Sequence, residues 1–321
     1  MNNYRRALIF VALLLCAALC CGCAGENPSG SKSKKNSSTA APATFDEADA
    51  PEGLADLGID PGSAGIFPQI KHDENNSAGF QLESPKEGDT VAVIHTSLGD
   101  ITLRLFPEQA PKAVTNFISL AENGSYNGTA FNYVQRGAYI RGGSCGSSGN
   151  PYGVSSYGGT FEDEFCDSLC NLRGAVSMAN NAKDANGSSF LINRTDSASF
   201  AEKGGWKAYE SAWVGIVNQL SGYKGSNLLQ AYIDENGDRF FNPALMPQNV
   251  KELYEQNGGN PSFDGAYNAA DRGNTVFAQV IDGMEVVDAI NALETDKNNA
   301  PLENVVIKSV EITVYHARPA A

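Results

Sequence analysis

Two short apolar-rich runs lie in the first third of the chain, and in the second of them apolar and polar positions alternate. VAVIH (91–95) is followed, after Thr96-Ser97-Leu98-Gly99, by DITLRL (100–105), where Ile101, Leu103 and Leu105 alternate with Thr102 and Arg104. A period of two with a glycine in the turn predicts a β-hairpin with one buried face. The period then changes. In PKAVTNFISLAENG, Val114, Phe117, Ile118 and Ala121 recur at helical spacing, with Pro111 suited to a first turn and Gly124 to a C-terminal stop. Further apolar runs lie at Phe131–Ile140, Gly174–Met178, Phe190–Asn193, Val276–Ile281 and Val305–Tyr315. A second short helix is expected over Met284–Leu293, with Val286, Val287 and Ile290 on one face. Many short strands with two helices predict a mainly β fold, a closed antiparallel barrel capped by α-helices.

Residues 195–261 break this rhythm. They hold both tryptophans, Trp206 and Trp213, and two helix-like pieces, 226–237 and 249–259, each ending at a glycine. A structureless loop of this length is uncommon inside a compact domain, so a folded, partly helical insertion is expected, with the tryptophans in its own core. Asp234, Asn236 and Asp238 are spaced like calcium ligands, but Gly237 stands at the fourth position and not the sixth, so a polar turn is expected there.

The N-terminus reads as a targeting segment. Arg5 and Arg6 precede an apolar run, Ala7 to Leu19, that is shorter than the ~20 residues a membrane span needs. Cys20-Cys21-Gly22-Cys23 follows, which resembles the signal peptide of a bacterial lipoprotein. Residues 1–22 are read as that peptide, with Cys23 lipidated; Cys21 and an uncleaved anchor are the alternatives. All of these put the bulk of the chain outside the cytoplasm. Residues 23–66 are rich in Ser, Ala, Pro, Gly and Lys and read as a flexible tether. The folded domain is assigned to 67–321, with regular structure expected from near Thr90.

Composition narrows the chemistry. With 42% hydrophobic residues, 12 Tyr and 15 Phe, the chain of 321 residues can pack a sizeable core. A formal charge of −14, or −16 without Arg5 and Arg6, opposes nucleic-acid binding. Three histidines, His72, His95 and His316, are widely spaced and do not suggest a metal site. Beyond Cys23, three cysteines remain: Cys145, Cys166 and Cys170. Cys166 and Cys170 are close enough to pair, and three unpaired thiols are equally expected.

Several stretches carry a resemblance: GDITLRLFPEQAPKAVTNF, YNGTAF, GAYIRGG, YGGTFEDEF, RGAVSMANN, NGSSFLI and VFAQVIDGMEVVDAI. In this order they resemble the cyclophilin family of peptidyl-prolyl cis–trans isomerases over 91–194 and 262–315. The resemblance implies an eight-stranded antiparallel barrel with two capping helices. It also implies isomerisation of X-Pro peptides, without cofactor, in an apolar groove with a fixed donor. That donor is an arginine in the family, and Tyr133 holds its place here. Ala138, Tyr139, Leu191 and Phe263 stand at the proline pocket, Ala179 and Asn180 at backbone-binding positions. Ser189 replaces a glutamine and Asn274 a histidine at the rim. Arg141 replaces a second glutamine; it is expected either to supply the missing guanidinium, oriented by Tyr133, or to pair with a surface carboxylate. Arg136 is a further candidate. FEDEF (161–165) is read as structural or solvated.

The functional expectation is a prolyl isomerase assisting the folding of exported proteins at a membrane. Its partners would be proline-containing peptides and unfolded chains, with a lipid anchor and no nucleic acid. The alternative is a proline-peptide-binding or scaffolding lipoprotein that has lost the catalyst. In a third reading the insertion covers the groove or docks a partner.

Overall fold

The computed structural model describes residues 70–146, 149–223 and 229–317. The signal peptide, the tether and Cys23 lie outside the described residues. A two-residue strand β1 (Ile70–Lys71) leads into β2 (Thr90–Thr96) and β3 (Asp100–Leu105), the hairpin expected from the alternation. At its turn, Thr96 N–H donates to Gly99 O at 2.9 Å. Gly99 adopts φ +139°, and a Cβ there would stand 2.8 Å from Val286, so glycine serves both the turn and a close contact.

Helix α1 (Pro111–Glu122) begins at the expected proline and buries Val114, Phe117, Leu120 and Ala121. Its free N-terminal N–H groups are met by Glu164 of FEDEF, which accepts from Lys112 N at 3.0 Å and Ala113 N at 2.9 Å. Next come β4 (Phe131–Gln135), β5 (Tyr139–Gly142), β6 (Phe165–Cys166), β7 (Ala175–Met178) and β8 (Phe190–Asn193). The apolar run Phe131–Ile140 holds the turn of a tight hairpin between β4 and β5, where Ala138 N–H bonds Gln135 O at 2.9 Å.

The insertion folds as helices α2 (Ser197–Glu202), α3 (Gly205–Ser221), α4 (Leu229–Asn236) and α5 (Gln248–Asn257). The last two correspond to the helix-like pieces; α2 and α3 carried no readable stripe. The tryptophans serve two separate clusters. Trp213 packs with Val217, Leu220, Ile233 and Phe240, while Trp206 meets Phe200 and Tyr254 edge-on. After Asn236 the chain makes a 3-10 turn (Gly237–Arg239), the polar turn expected in place of a calcium loop. Strand β9 (Val276–Asp282), helix α6 (Met284–Ala292) and strand β10 (Ile307–Val314) complete the chain.

Eight strands form one sheet in the order β10-β2-β3-β9-β7-β8-β5-β4, and every neighbouring pair is antiparallel. The sheet curls until its ends meet. Gly128 N–H donates to Ile307 O (2.8 Å), Ile307 N–H to Thr129 O (2.8 Å) and Phe131 N–H to Val305 O (2.9 Å). Phe117, Tyr126, Phe131, Phe190 and Phe277 fill the interior. Cys145, Cys166 and Cys170 are free thiols.

Regular packing begins well before Thr90. Phe80 sits edge-on to Phe106, with ring centroids 5.3 Å apart. Gln81 is fully buried and clamps the Cys170 peptide unit: its amide donates to Cys170 O (2.9 Å) and its oxygen accepts from Cys170 N (2.8 Å). The same amide donates to Gln279 of β9 at 2.9 Å. No periodic pattern announces this segment, because a single side chain makes the join. Gln81→Leu is expected to lower the unfolding free energy by about 2 kcal/mol or more, read by urea denaturation, since it orphans buried backbone groups of Cys170.

Candidate functional site

The site lies on the sheet face turned away from the core, across β4, β5, β8 and β7. A bulge creates it. Phe131 pairs with Gly142 and Tyr133 with Arg141, so β4 advances two residues for one on β5. The extra residue, Asn132, leaves Phe131 inside the barrel and turns Tyr133 to the opposite face. Arg141 then stands opposite Tyr133 on one side and Leu191 on the other, and Leu191 opposite Ser177.

Aromatic rings dominate this face. Tyr133 and Tyr139 stack with centroids 5.8 Å apart, and Tyr139 meets Phe263 edge-on at 5.4 Å. Burial, with the neighbouring Tyr133 phenol, raises the Tyr139 hydroxyl well above its ordinary range, so it stays neutral. The Tyr133 hydroxyl donates to Gln135 Oε1 (3.2 Å) and accepts from Asn299 Nδ2 (3.1 Å). The Arg141 guanidinium carbon lies 4.8 Å from the centroid of Tyr133 and 5.1 Å from that of Tyr152. Its Nε is buried without a hydrogen-bond partner. Among the described residues no carboxylate lies within ion-pair distance of it, so the surface-pair reading of Arg141 is not what the fold builds. Arg136 is exposed and donates to Leu293 O at the end of α6 (2.8 Å), which occupies it elsewhere.

The remaining predicted residues form a second group beside the first. Ala179 N–H donates to Ser189 O at 2.9 Å. Asn274 donates through its side chain to Met178 O (2.9 Å) and through its backbone to Phe263 O (2.9 Å), which joins the two groups. Asn180 Nδ2 faces Asp163, Asn186 and Gly273 O at 3.0–3.1 Å. Asp163, of FEDEF, is raised to about 6, mainly by burial. Ser189 is fully buried and its hydroxyl donates to Pro151 O at 3.0 Å. The small hydroxyl thus seats a loop where a longer side chain would project.

Ala138 is held by the residue after β8 and by Asn260 after α5. Its carbonyl accepts from Arg194 N (2.7 Å) and Asn260 Nδ2 (3.2 Å). Asn260 also donates to Asn193 Oδ1 (2.6 Å), Asn193 donates to Asn171 Oδ1 (3.1 Å), and Asn171 donates to Asp264 Oδ1 (2.8 Å). Tyr254 of α5 donates to the other Asp264 oxygen. These buried polar side chains run continuously along the same face of the sheet beside the site, from Ala138 to the residue after Phe263. Sequence reading found none of them, nor Tyr152, because isolated Asn, Asp and Tyr residues carry no spacing signal.

Asp264 is the titratable member of the chain. It is fully buried, faced by Tyr254, Tyr209, Tyr267 and Cys170, and none of these is cationic. Burial pushes it up to about 7 against three donors that pull it down. A carboxyl raised on folding favours the protonated native state, so its stabilisation is complete below about pH 4 and is lost as pH rises through about 7. Asp264→Asn is expected to flatten that decline by on the order of a few kcal/mol, measured as denaturation free energy at pH 5 and pH 8.

The family described as cyclophilin type peptidyl-prolyl cis-trans isomerase/CLD matches residues 91–210 and 256–312. A Staphylococcus aureus protein named "Putative peptidyl-prolyl cis-trans isomerase" is 33% identical over 227 residues, covering 71% of this chain and 93% of its own length. A Streptococcus pyogenes protein named "Putative bifunctional phosphatase/peptidyl-prolyl cis-trans isomerase" is 34% identical over 238 residues. That match covers 72% of this chain, which spans 40% of the streptococcal protein's length. A crystal structure of a Cryptosporidium parvum cyclophilin type peptidyl-prolyl cis-trans isomerase aligns with TM-score 0.46 and 23% identity, over 72% of this chain and 99% of its own. The chain belongs to the cyclophilin-type peptidyl-prolyl cis-trans isomerases, with residues 211–255 inserted between the two stretches that the family shares.

Proposed function

We propose that the protein isomerises X-Pro bonds with Arg141 as its guanidinium donor, in place of the residue that Tyr133 replaces. A peptide bond resists rotation by ~18–20 kcal/mol because the nitrogen lone pair is delocalised into the carbonyl. Twisting the bond localises that lone pair on the proline nitrogen. A fixed donor aimed there binds the twisted amide better than either planar form, and that difference is the catalysis. The observation that carries the reading is the Arg141 guanidinium itself, beside Tyr133, with Nε unpartnered and, among the described residues, no carboxylate consuming its donors. Tyr139, Leu191, Phe263 and Ala138 supply the apolar wall for the proline ring, and the Ala179–Asn180 segment lies where the peptide backbone would run. Tyr133 orients the guanidinium; its own hydroxyl proton goes to Gln135.

The second reading, a proline-peptide binder with little turnover, draws support from Ser189. Its hydroxyl is spent on Pro151 and offers a peptide no clamp. The cellular setting rests on the N-terminus: Arg5, Arg6, the apolar run and Cys23 fit a lipid-anchored protein outside the cytoplasm, acting on exported chains. Uncatalysed prolyl isomerisation takes ~10–100 s, long enough to leave such chains exposed.

Exchange NMR of a proline peptide tests the chemistry. Arg141→Ala is expected to slow cis–trans exchange roughly a hundredfold while the peptide still binds. Binding without exchange in the wild-type protein would select the second reading. For the anchor, Cys23→Ser is expected to move the protein from the membrane pellet to the soluble fraction on cell fractionation.

A further inference from the structure

Arg104, Arg173 and Arg194 each bond an aspartate. Among the described residues Arg141 bonds none, although the chain carries 37 acidic residues against 23 basic ones. What holds its guanidinium is aromatic: Tyr133 from the paired strand and Tyr152 from the loop that follows β5. A cation over an aromatic face is held weakly in water and more firmly where water is excluded, as it is around the buried Nε.

The Tyr152 seat is built. Its carbonyl accepts from Ser188 N–H and Ser189 N–H, both at 3.0 Å. The Ser189 hydroxyl fixes the preceding Pro151 carbonyl at 3.0 Å. Asn150 closes the turn, accepting from Tyr152 N–H at 3.0 Å and donating to Gly153 O at 2.8 Å. The approach demands glycine: a Cβ at Gly187 would stand 2.3 Å from Tyr152 O, and one at Gly153 (φ +68°) 2.9 Å from Cys145 N. Loop, serine pair and glycines together leave the Tyr152 ring against Arg141.

We infer that Tyr152 is a positioning residue, which with Tyr133 fixes the plane of the Arg141 guanidinium before a peptide arrives. The inference rests on the reading of Arg141 as donor. An arginine side chain has several free torsions, and a donor that must be aimed again in each turnover forfeits preorganisation. A carboxylate would fix the guanidinium too, but a bidentate pair occupies two N–H groups. Aromatic faces hold the plane and leave the N–H rim free for the substrate. The same arrangement gives Ser189 its role: it seats the loop that carries the clamp.

The test compares Tyr152→Leu, which removes the ring, with Tyr152→Phe, which keeps it. Two quantities are read: cis–trans exchange of a bound proline peptide, and exchange of the Arg141 Nε–H with water in protein labelled with 15N-arginine. Tyr152→Leu is expected to slow isomerisation about tenfold, leave the peptide dissociation constant unchanged, and speed Nε–H exchange. Tyr152→Phe rescues both readouts. If Arg141→Ala slows the reaction and Tyr152→Leu does not, the positioning role is overturned and Arg141 keeps its own. If Arg141→Ala leaves the rate unchanged, the donor reading falls and the inference falls with it. Thermal melting checks the fold of each variant, and Tyr152→Met replaces the leucine variant if that one melts early.

Discussion

The site stands on a buried row of side-chain amides that the sheet and the insertion share. Asn171, Asn193 and Asn260 link Asp264 at one wall of the groove to the Ala138 carbonyl at the other. A buried polar group without a partner is costly, and each of these amides finds its partner within the row. Each member therefore fixes the next, and the wall residues Phe263 and Ala138 inherit positions set tens of residues away in sequence. The insertion is consequently part of the groove's support: Tyr254 belongs to it and donates to Asp264 at the end of the row.

Farther along the same face of these strands the constraint is electrostatic. The chain is strongly acidic, yet among the described residues the Arg141 guanidinium meets no carboxylate and is held by rings. Stacking preserves the charge and its N–H donors for use, where an ion pair would neutralise the first and consume the second. Tyr133, Arg141, Ser189 and Tyr152 thus make a consistent set. A tyrosine at the family's donor position offers a face to Arg141, and a small hydroxyl at 189 lets the loop bring a second face down on it.

Support also comes from ahead of the shared family region. Phe80 and Gln81 precede residue 91, where the family match starts, yet they bind Phe106, Cys170 and Gln279. Gln279 in turn donates to Arg173 O, so this segment meets the sheet beside the strands that carry the site. One glutamine with three buried partners leaves no periodic trace, which is why the alternation of apolar residues pointed to Thr90 as the start.

By itself the sequence determined what repeats locally. Alternation gave the β2–β3 hairpin, helical spacing gave α1 and α6, and the ordered stretches around Ala138–Gly143 and Ser177–Ile192 gave the family and most of the groove residues. Those signals are legible because period and turn chemistry act between near neighbours. Tertiary structure decided what lies between distant segments: the bulge at Asn132 that turns Tyr133 outward, the amide row, and the partner of Arg141. The sequence left that arginine between a donor's role and a surface ion pair. Only the fold brings Tyr152 beside it and, among the described residues, leaves it no carboxylate within ion-pair distance, because contacts across the sheet are set by register and loop seating, which no local pattern encodes.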